Sequence, residues 1–503
     1  MQAKMYLSSA CVKVQPPCLE LLKKELRYWH REFVLKNYRK TVVGEYRSLY
    51  EISEEIDEDT GLLVKRLITY PGFAHRIKKL IPGLKIIDLR SKLPEPNYLE
   101  LFKGLWKYQI EGVLRMLDSR GGSASAATGW GKGRLISSIL KAWSSEYLKA
   151  RGTPFSVTAA PSIEITLKNY KELKELCPER EVGLITGAKF IPSSDIIVST
   201  MDSLHKIPAD EIGIFVADEV HTASSAARSE VIMSFVNAYK WGVSASPTGK
   251  FNGSDKLTEG LFGPIVYESS YQDGVDVGAL VPIHVCWLNA AEPEIGIRRY
   301  MGYKTRDGKE FRAIINNPGR NRAIGRIFKN VGEDDQVLCL VKTIEHLDYV
   351  LGHCPDDTEY CHAGVTDKSV GKSVNVKKIK KKRREEMYAA MESAEIKKMA
   401  STYVYSTGVN FPRLNIVINA CGGSSEIVNK QIPGRQSRKI DGKDISYLVD
   451  FRHPWDVEKD KNGKEIRGSF FKQDNSRERT YKNLGFTQRT YDSVEDLPFL
   501  KNK

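Results

Sequence analysis

Two short stretches of this 503-residue chain carry residue types that could handle a phosphate. The first is residues 124–138, ASAATGWGKGRLISS. Small residues and glycines before a lysine let backbone amides point inward, and a helix starting there adds unpaired N–H groups, so such a loop cradles phosphates. Thr128, Gly129, Trp130, Gly131, Lys132, Gly133 and Arg134 are the candidate contacts, with Lys132 reaching the β- and γ-phosphates. Leu135, Ile136, Ile139, Leu140 and Trp143 recur at helical spacing, so the loop is expected to follow one helix and open another, buried one. One position departs from the phosphate-loop pattern. The residue after the lysine is ordinarily Ser or Thr, whose hydroxyl binds Mg²⁺; here it is Gly133. Either the metal keeps a water there, or a nearby hydroxyl substitutes, or the chemistry is impaired, and the sequence leaves all three open.

The second stretch is Phe215-Val216-Ala217-Asp218-Glu219-Val220-His221. An apolar strand ending in two acids puts both carboxylates at the C-terminal edge of a parallel sheet, where open α/β folds bind ligands. Asp218 would hold Mg²⁺ directly or through water, Glu219 would orient and deprotonate an attacking water, and His221 would link the site to neighbouring elements. His353-Cys354 and Cys361-His362 form a looser cluster, but zinc sites use tighter pairs, so they read as ordinary side chains. Of Trp106, Trp130, Trp241 and Trp287, only Trp130, inside the loop, stands out from a core of buried aromatics.

These residues need a frame to hold them. From residue 98 short apolar runs alternate with helical segments: 155–160, 196–200, 212–217 and 241–244, then 337–341, 402–405, 416–420 and 447–451. Near-continuous apolar strands between helices predict parallel sheets covered on both faces, and the long gap after the fourth run predicts two of them in series. Upstream lies a small α/β unit, with strands expected at 11–14 and 42–43, helices at 19–26 and 73–81, and a further apolar run at 84–89. Pro94-Glu95-Pro96 interrupts regular structure and marks a boundary, so residues 1–93 are expected to separate from the rest.

Lys+Arg 77 against Asp+Glu 63 gives a formal charge of +14, which suits a polyanionic partner. A run from Lys377 to Arg384, KKIKKKRR, is either a nucleic-acid contact or a solvated helix start. No stretch approaches the roughly 18 apolar residues of a membrane span. The first thirty residues carry neither a long apolar core nor a small-residue cleavage site, so no secretion signal is expected. Eight scattered cysteines argue against a disulfide scaffold and for a reducing compartment, the cytoplasm.

In order along the chain, Tyr108-Gln109, the glycine-lysine-glycine loop, Ala160-Pro161-Ser162, Ser199-Thr200-Met201-Asp202, Asp218-Glu219-Val220-His221 and Ser244-Ala245-Ser246-Pro247 resemble the first-half motifs of superfamily-two helicases. Ser406-Thr407-Gly408-Val409-Asn410 and Gln431-Ile432-Pro433-Gly434-Arg435-Gln436-Ser437-Arg438 resemble the second-half motifs. Leu261-Phe262-Gly263-Pro264, Gly278-Ala279-Leu280-Val281-Pro282 and Asn321-Arg322 are similar to the DEAH-type branch that holds UvsW, RecG and XPB. The first hundred residues resemble, more loosely, the DNA-recognition domain of UvsW-like phage helicases.

The resemblance implies two tandem RecA-like domains, 98–285 and 286–490, behind a small α/β N-terminal domain, 1–93. It implies an ATP- and Mg²⁺-dependent DNA helicase or translocase acting on branched or forked DNA in recombination, replication and repair, monomeric or weakly associating and without a membrane partner. Gln109 would read the adenine edge. Thr407, Gly408 and Asn410 would sit between nucleotide and nucleic acid, Gln431 would join the catalytic set, and Arg435 and Arg438 would reach across to the γ-phosphate. Ser244 and Ser246 would couple hydrolysis to domain movement. An RNA helicase is the alternative enzyme. A catalytically weak nucleic-acid-binding module is the alternative that Gly133 raises.

Overall fold

The computed structural model describes residues 4–8, 12–14, 19–36, 39–56, 61–90, 92–127, 129–250, 252–293, 310–362, 374–402, 411–424, 429–430, 432–459 and 463–500. Thr128, Thr407, Gly408, Asn410 and Gln431 fall outside them. The chain forms two compact units, Met1–Ala127 with Gly131–Ser269, and Ser270–Lys503 with Thr128–Trp130.

In the first unit an eight-stranded sheet runs in the order Phe190–Ile191, Val182–Ile185, Ile196–Thr200, Phe155–Ala160, Ile212–Asp218, Tyr239–Ser244, Gly122–Ala126 and Ile265–Ser269. All pairs are parallel except that of the edge strand Phe190–Ile191. Every residue of Ile212–Asp218 and of Ile196–Thr200 is buried, as strands covered on both faces must be. The phosphate loop therefore follows a strand, Gly122–Ala126, and not the expected helix. That strand reads GSASA, and residues without branched or aromatic side chains carry little strand signal.

The N-terminal elements also lie in this unit. Their five-stranded sheet has the order Tyr50–Ile56, Leu63–Thr69, Val12–Val14, Lys4–Leu7, Lys85–Asp88, with helices Leu19–Glu25 and Ala74–Leu80. Arg27–Lys36 and Arg39–Ser48 pair as a separate antiparallel ribbon. The proline break does not seal this region off. Leu22, Leu67, Phe73 and Ile77 belong to the same buried cluster as Val157, Phe215 and Leu261. Arg76 forks onto Glu259 at 2.5 and 2.8 Å and reaches Glu25 at 2.6 Å. Residues 1–93 thus contribute to a buried cluster that they share with the eight-stranded sheet of this unit.

The second unit holds a seven-stranded, all-parallel sheet ordered Glu359–Cys361, Lys398–Ser401, Val337–Leu340, Ile416–Asn419, Ser446–Arg452, Ile283–Asn289 and Thr487–Tyr491. A strand lies at Lys398–Ser401, just before the run expected at 402–405, and its Met399 and Ala400 are buried without being branched. Residues 403–405 are not among those described. The molecule is thus α/β, with two tandem parallel-sheet domains and a small N-terminal α/β region. Among the described residues no helix is long and apolar enough to cross a membrane.

Candidate active site

Helix Lys132–Leu140 begins after Gly131, whose φ of 91° is a left-handed conformation that glycine adopts without strain. Gly129, at φ 89°, is also left-handed. No side chain caps this helix, so its first N–H groups are available to an anion. A β-carbon at 131 would lie 2.5 Å from the Gln109 Nε2 atom, so the glycine also makes room for Gln109. Gln109 is buried, and its Oε1 accepts the Trp106 N–H at 3.1 Å at the start of helix Lys107–Ser119. Its amide is therefore spoken for at one end and lies against the loop at the other. Trp106 itself is 55% exposed. Trp130 is buried, so the odd aromatic of the loop is core and not a stacking platform. Arg134 donates to the Gly104 carbonyl at 2.7 Å.

Strand Ile212–Asp218 delivers the two acids. Asp218 accepts the Asn169 side-chain amide at 2.8 Å and the Glu219 N–H at 2.9 Å. Burial first, and the Glu219 charge second, raise its pKa above the ordinary aspartate value. Glu219 sits at φ 50°, ψ 52°, a left-handed conformation that costs a non-glycine residue about 1–2 kcal/mol. That turn aims its carboxylate at the lysine: Glu219 Oε1 is 3.9 Å from Lys132 Nζ. The other oxygen, Oε2, accepts the Ser244 hydroxyl at 2.9 Å. Ser244 Oγ in turn accepts His221 Nδ1–H at 2.9 Å and the Ser246 N–H at 3.1 Å. Burial pushes the His221 pKa down, which favours the neutral ring.

A lysine and two carboxylates are thus gathered over an uncapped helix start. Mg²⁺ takes oxygen ligands and is commonly held through one or two carboxylates plus the substrate's phosphates, and the donors here suit that mode. Among the described residues no three His, Cys, Asp or Glu side chains form a metal cluster by themselves.

Two residues of helix Ile163–Leu176 complete the site and escape a reading of motifs. Asn169 binds Asp218, and Glu172, one turn on, lies against Gly133. Polar residues at this spacing on a helix face that also buries Ile165 and Leu173 are the only local signal.

In the second unit Arg435 lies buried in the turn Pro433–Gln436, and Arg438 is exposed, its backbone bridged to Leu280. His362 Nε2 is 2.9 Å from the Lys377 carbonyl, a backbone contact. The basic run enters helix Lys381–Glu392, with its lysines largely in solvent.

Residues 102–249 match the family described as Type III restriction enzyme, res subunit, and residues 319–439 match the Helicase conserved C-terminal domain. The chain belongs to the superfamily-two helicases. Its helicase domains imply use of ATP. A search among curated proteins finds no match. Among solved structures, a point variant of S. cerevisiae Dbp5 bound to RNA and ADP BeF3 has 15% identity and a TM-score of 0.50, over 79% of this chain and 96% of that one. The ATP-dependent Type ISP restriction-modification enzyme LlaBIII bound to DNA has 15% identity and a TM-score of 0.50, over 85% of this chain and 34% of that one. T4 UvsW has 18% identity and a TM-score of 0.39, over 98% of this chain and all (100%) of that one. Identities this low speak for the fold alone.

Proposed function

We propose that this helicase is a DNA motor that hydrolyses ATP to remodel branched or forked duplexes, as recombination and repair require. The observation that carries the ATPase part is the approach of Glu219 to Lys132 over an uncapped helix start. In this reading Lys132 and the amides of the loop hold the phosphates, Asp218 serves the metal, and Glu219 takes the proton of the attacking water. Trp106 offers the base an aromatic face beside Gln109. By the helicase resemblance, Arg435 and Arg438, with Gln431, Gly408 and Asn410, are the residues of the second domain assigned to ATP hydrolysis.

The DNA part is supported by charge and by the N-terminal ribbon. Residues 27–48 hold six cations, Arg27, Arg31, Lys36, Arg39, Lys40 and Arg47, against two carboxylates, Glu32 and Glu45. On one face Trp29 and Tyr46 are 44% and 60% exposed, packed edge to face at 4.9 Å, with the Arg27 guanidinium 4.4 Å from the Tyr46 ring centre. Exposed aromatics among arginines suit unpaired bases at a junction, since stacking contributes about 1–3 kcal/mol per base. The Arg31 N–H donates to the Asn252 carbonyl at 3.3 Å, in the loop that follows Ser244. Nucleic acid on the ribbon is thereby one loop away from the serine that holds Glu219.

ATP turnover should be measured with single-stranded DNA, duplex, a four-way junction and structured RNA. Stimulation greatest with the junction supports the proposal. Stimulation by RNA and not by DNA moves the substrate to RNA, and no turnover with any of them removes the motor.

A further inference from the structure

Gly133 breaks the phosphate-loop pattern in the sequence, and its surroundings restore what the pattern lacks. It lies in the first turn of helix Lys132–Leu140 and is not among the residues with positive φ, so nothing in its backbone demands glycine. Its side-chain direction is nonetheless filled. A β-carbon there would fall on the carboxylate of Glu172, meeting both oxygens and the carboxyl carbon. The volume that Ser or Thr would use to present a hydroxyl therefore holds a carboxylate brought in from helix Ile163–Leu176. This is the face of that helix whose Asn169, one turn earlier, holds Asp218 at 2.8 Å.

A carboxylate beside a triphosphate cradle is repelled by the nucleotide unless a cation lies between them. Magnesium is that cation in phosphoryl transfer, where it bridges phosphate oxygens and neutralises developing charge. It accepts a carboxylate oxygen as readily as a hydroxyl. We infer that Glu172 is a ligand of the Mg²⁺ that accompanies the nucleotide, replacing the hydroxyl absent at Gly133. The glycine is then the complement of the glutamate, since any side chain at 133 would displace the carboxylate. This inference rests on the nucleotide-site reading above and deepens it.

The test uses binding and not turnover. The affinity of the full-length protein for a fluorescent ADP is titrated against Mg²⁺ for the parent, Glu172→Gln, Glu172→Asp and the double variant Gly133→Ser with Glu172→Ala, in which the space at 133 is cleared for the hydroxyl. Losing the charged ligand should raise the Mg²⁺ half-saturation by about tenfold or more, the range seen when a metal site loses a supporting group. Metal-free ADP affinity should hold or improve, because a repulsion has gone. The aspartate, whose oxygen is withdrawn by one methylene, should fall between parent and glutamine. The double variant, with its hydroxyl restored, should return to within about threefold of the parent. Unchanged half-saturation in Glu172→Gln overturns the assignment, and so does a rise that the restored hydroxyl does not repair. Circular dichroism confirms that each variant is folded, and the aspartate keeps the test alive if the glutamine is not. A parent that binds no ADP at any Mg²⁺ concentration defeats the nucleotide-site reading itself.

Discussion

Each parallel sheet of this protein buries an aspartate near the C-terminal end of one of its strands, and the two are treated in opposite ways. Asp450, on strand Ser446–Arg452, accepts four groups: Arg477 Nε at 2.9 Å, the Asn419 amide at 3.0 Å, the Tyr481 hydroxyl at 2.8 Å and the Phe451 N–H at 2.7 Å. Arg477 also reaches Asp474 at 3.0 Å and the carbonyls of Gly423 and Phe451 at 3.0 and 2.9 Å. Burial opposes its charge, yet the neighbouring aspartates hold its pKa above the ordinary arginine value. Asp218, on strand Ile212–Asp218, accepts an amide and a backbone N–H among the described residues, and the charge that acts on it most strongly is the acid Glu219, ahead of Lys132. A buried aspartate near a strand end is fully answered in one unit and left with fewer partners in the other. A buried carboxylate with every acceptor answered holds a fold together; one with spare acceptors is built for a visitor.

The sharpest way to break this contrast is at Glu219. Glu219→Gln keeps Lys132 and Asp218 but removes the proton acceptor, so turnover should fall by about 10²–10⁴-fold while nucleotide still binds. Steady-state turnover beside equilibrium ADP binding checks it, and parental turnover would deny the acid pair any catalytic role. In the other unit the matching change is Arg477→Met, which leaves Asp450 and Asp474 buried without their cation. Removing one partner of such a network should destabilise the protein by about 3–5 kcal/mol, read from denaturant unfolding followed in the second unit. A loss under about 1 kcal/mol would place that network among ion pairs that contribute little.

Ser244→Ala asks how much of Glu219's aim is supplied by its neighbour. The hydroxyl is a neutral donor to a charged acceptor, a bond contributing about 1.5–3 kcal/mol, and its loss also frees His221. Turnover should drop roughly tenfold through kcat with little change in nucleotide affinity. An equal change in both would make the serine a general support of the loop.

Why are some of these residues legible in the sequence and others not? Asp218 and Glu219 end an apolar run, and Lys132 follows glycines and opens an apolar helix, so each announces its own local geometry. Asn169 and Glu172 announce nothing, because their role depends on helix Ile163–Leu176 docking beside the phosphate loop. Gly133 is visible as a departure, yet its meaning lies in a residue 39 positions later (172 minus 133). The strand Gly122–Ala126 leaves no trace in a pattern of apolar runs, because its place between two neighbours depends on small size and not on strand propensity. The N-terminal region reads correctly as α/β, but a proline pair cannot report that Phe73 and Ile77 pack into a core shared with Phe215.

The smallest effect tests the contrast most directly, because it concerns stability at the functional aspartate. In the nucleotide-free protein the Asp218 pKa is raised above its unfolded value of about 3.9. A group whose folded pKa is raised binds its proton more tightly in the folded state. Its contribution to stability is fully present below the unfolded pKa and is lost as pH climbs through the folded pKa. Above the unfolded pKa this carboxyl group therefore weighs against the fold. Asp218→Asn removes that charge, and Asn169 can turn its own amide to offer oxygen to the new NH₂ group. The variant should be more stable than the parent by about 1 kcal/mol at pH 7, a gain common where a functional site is strained. The advantage should shrink as the pH falls and vanish near pH 4, where the parent carries the proton itself. Asp450→Asn should do the reverse at pH 7, since its NH₂ would face donors that now find no acceptor. Parallel denaturant curves for the two variants, without nucleotide or Mg²⁺, decide the matter. If both asparagines destabilise alike, Asp218 is a structural acid like Asp450, and its open acceptors are not a sign of function.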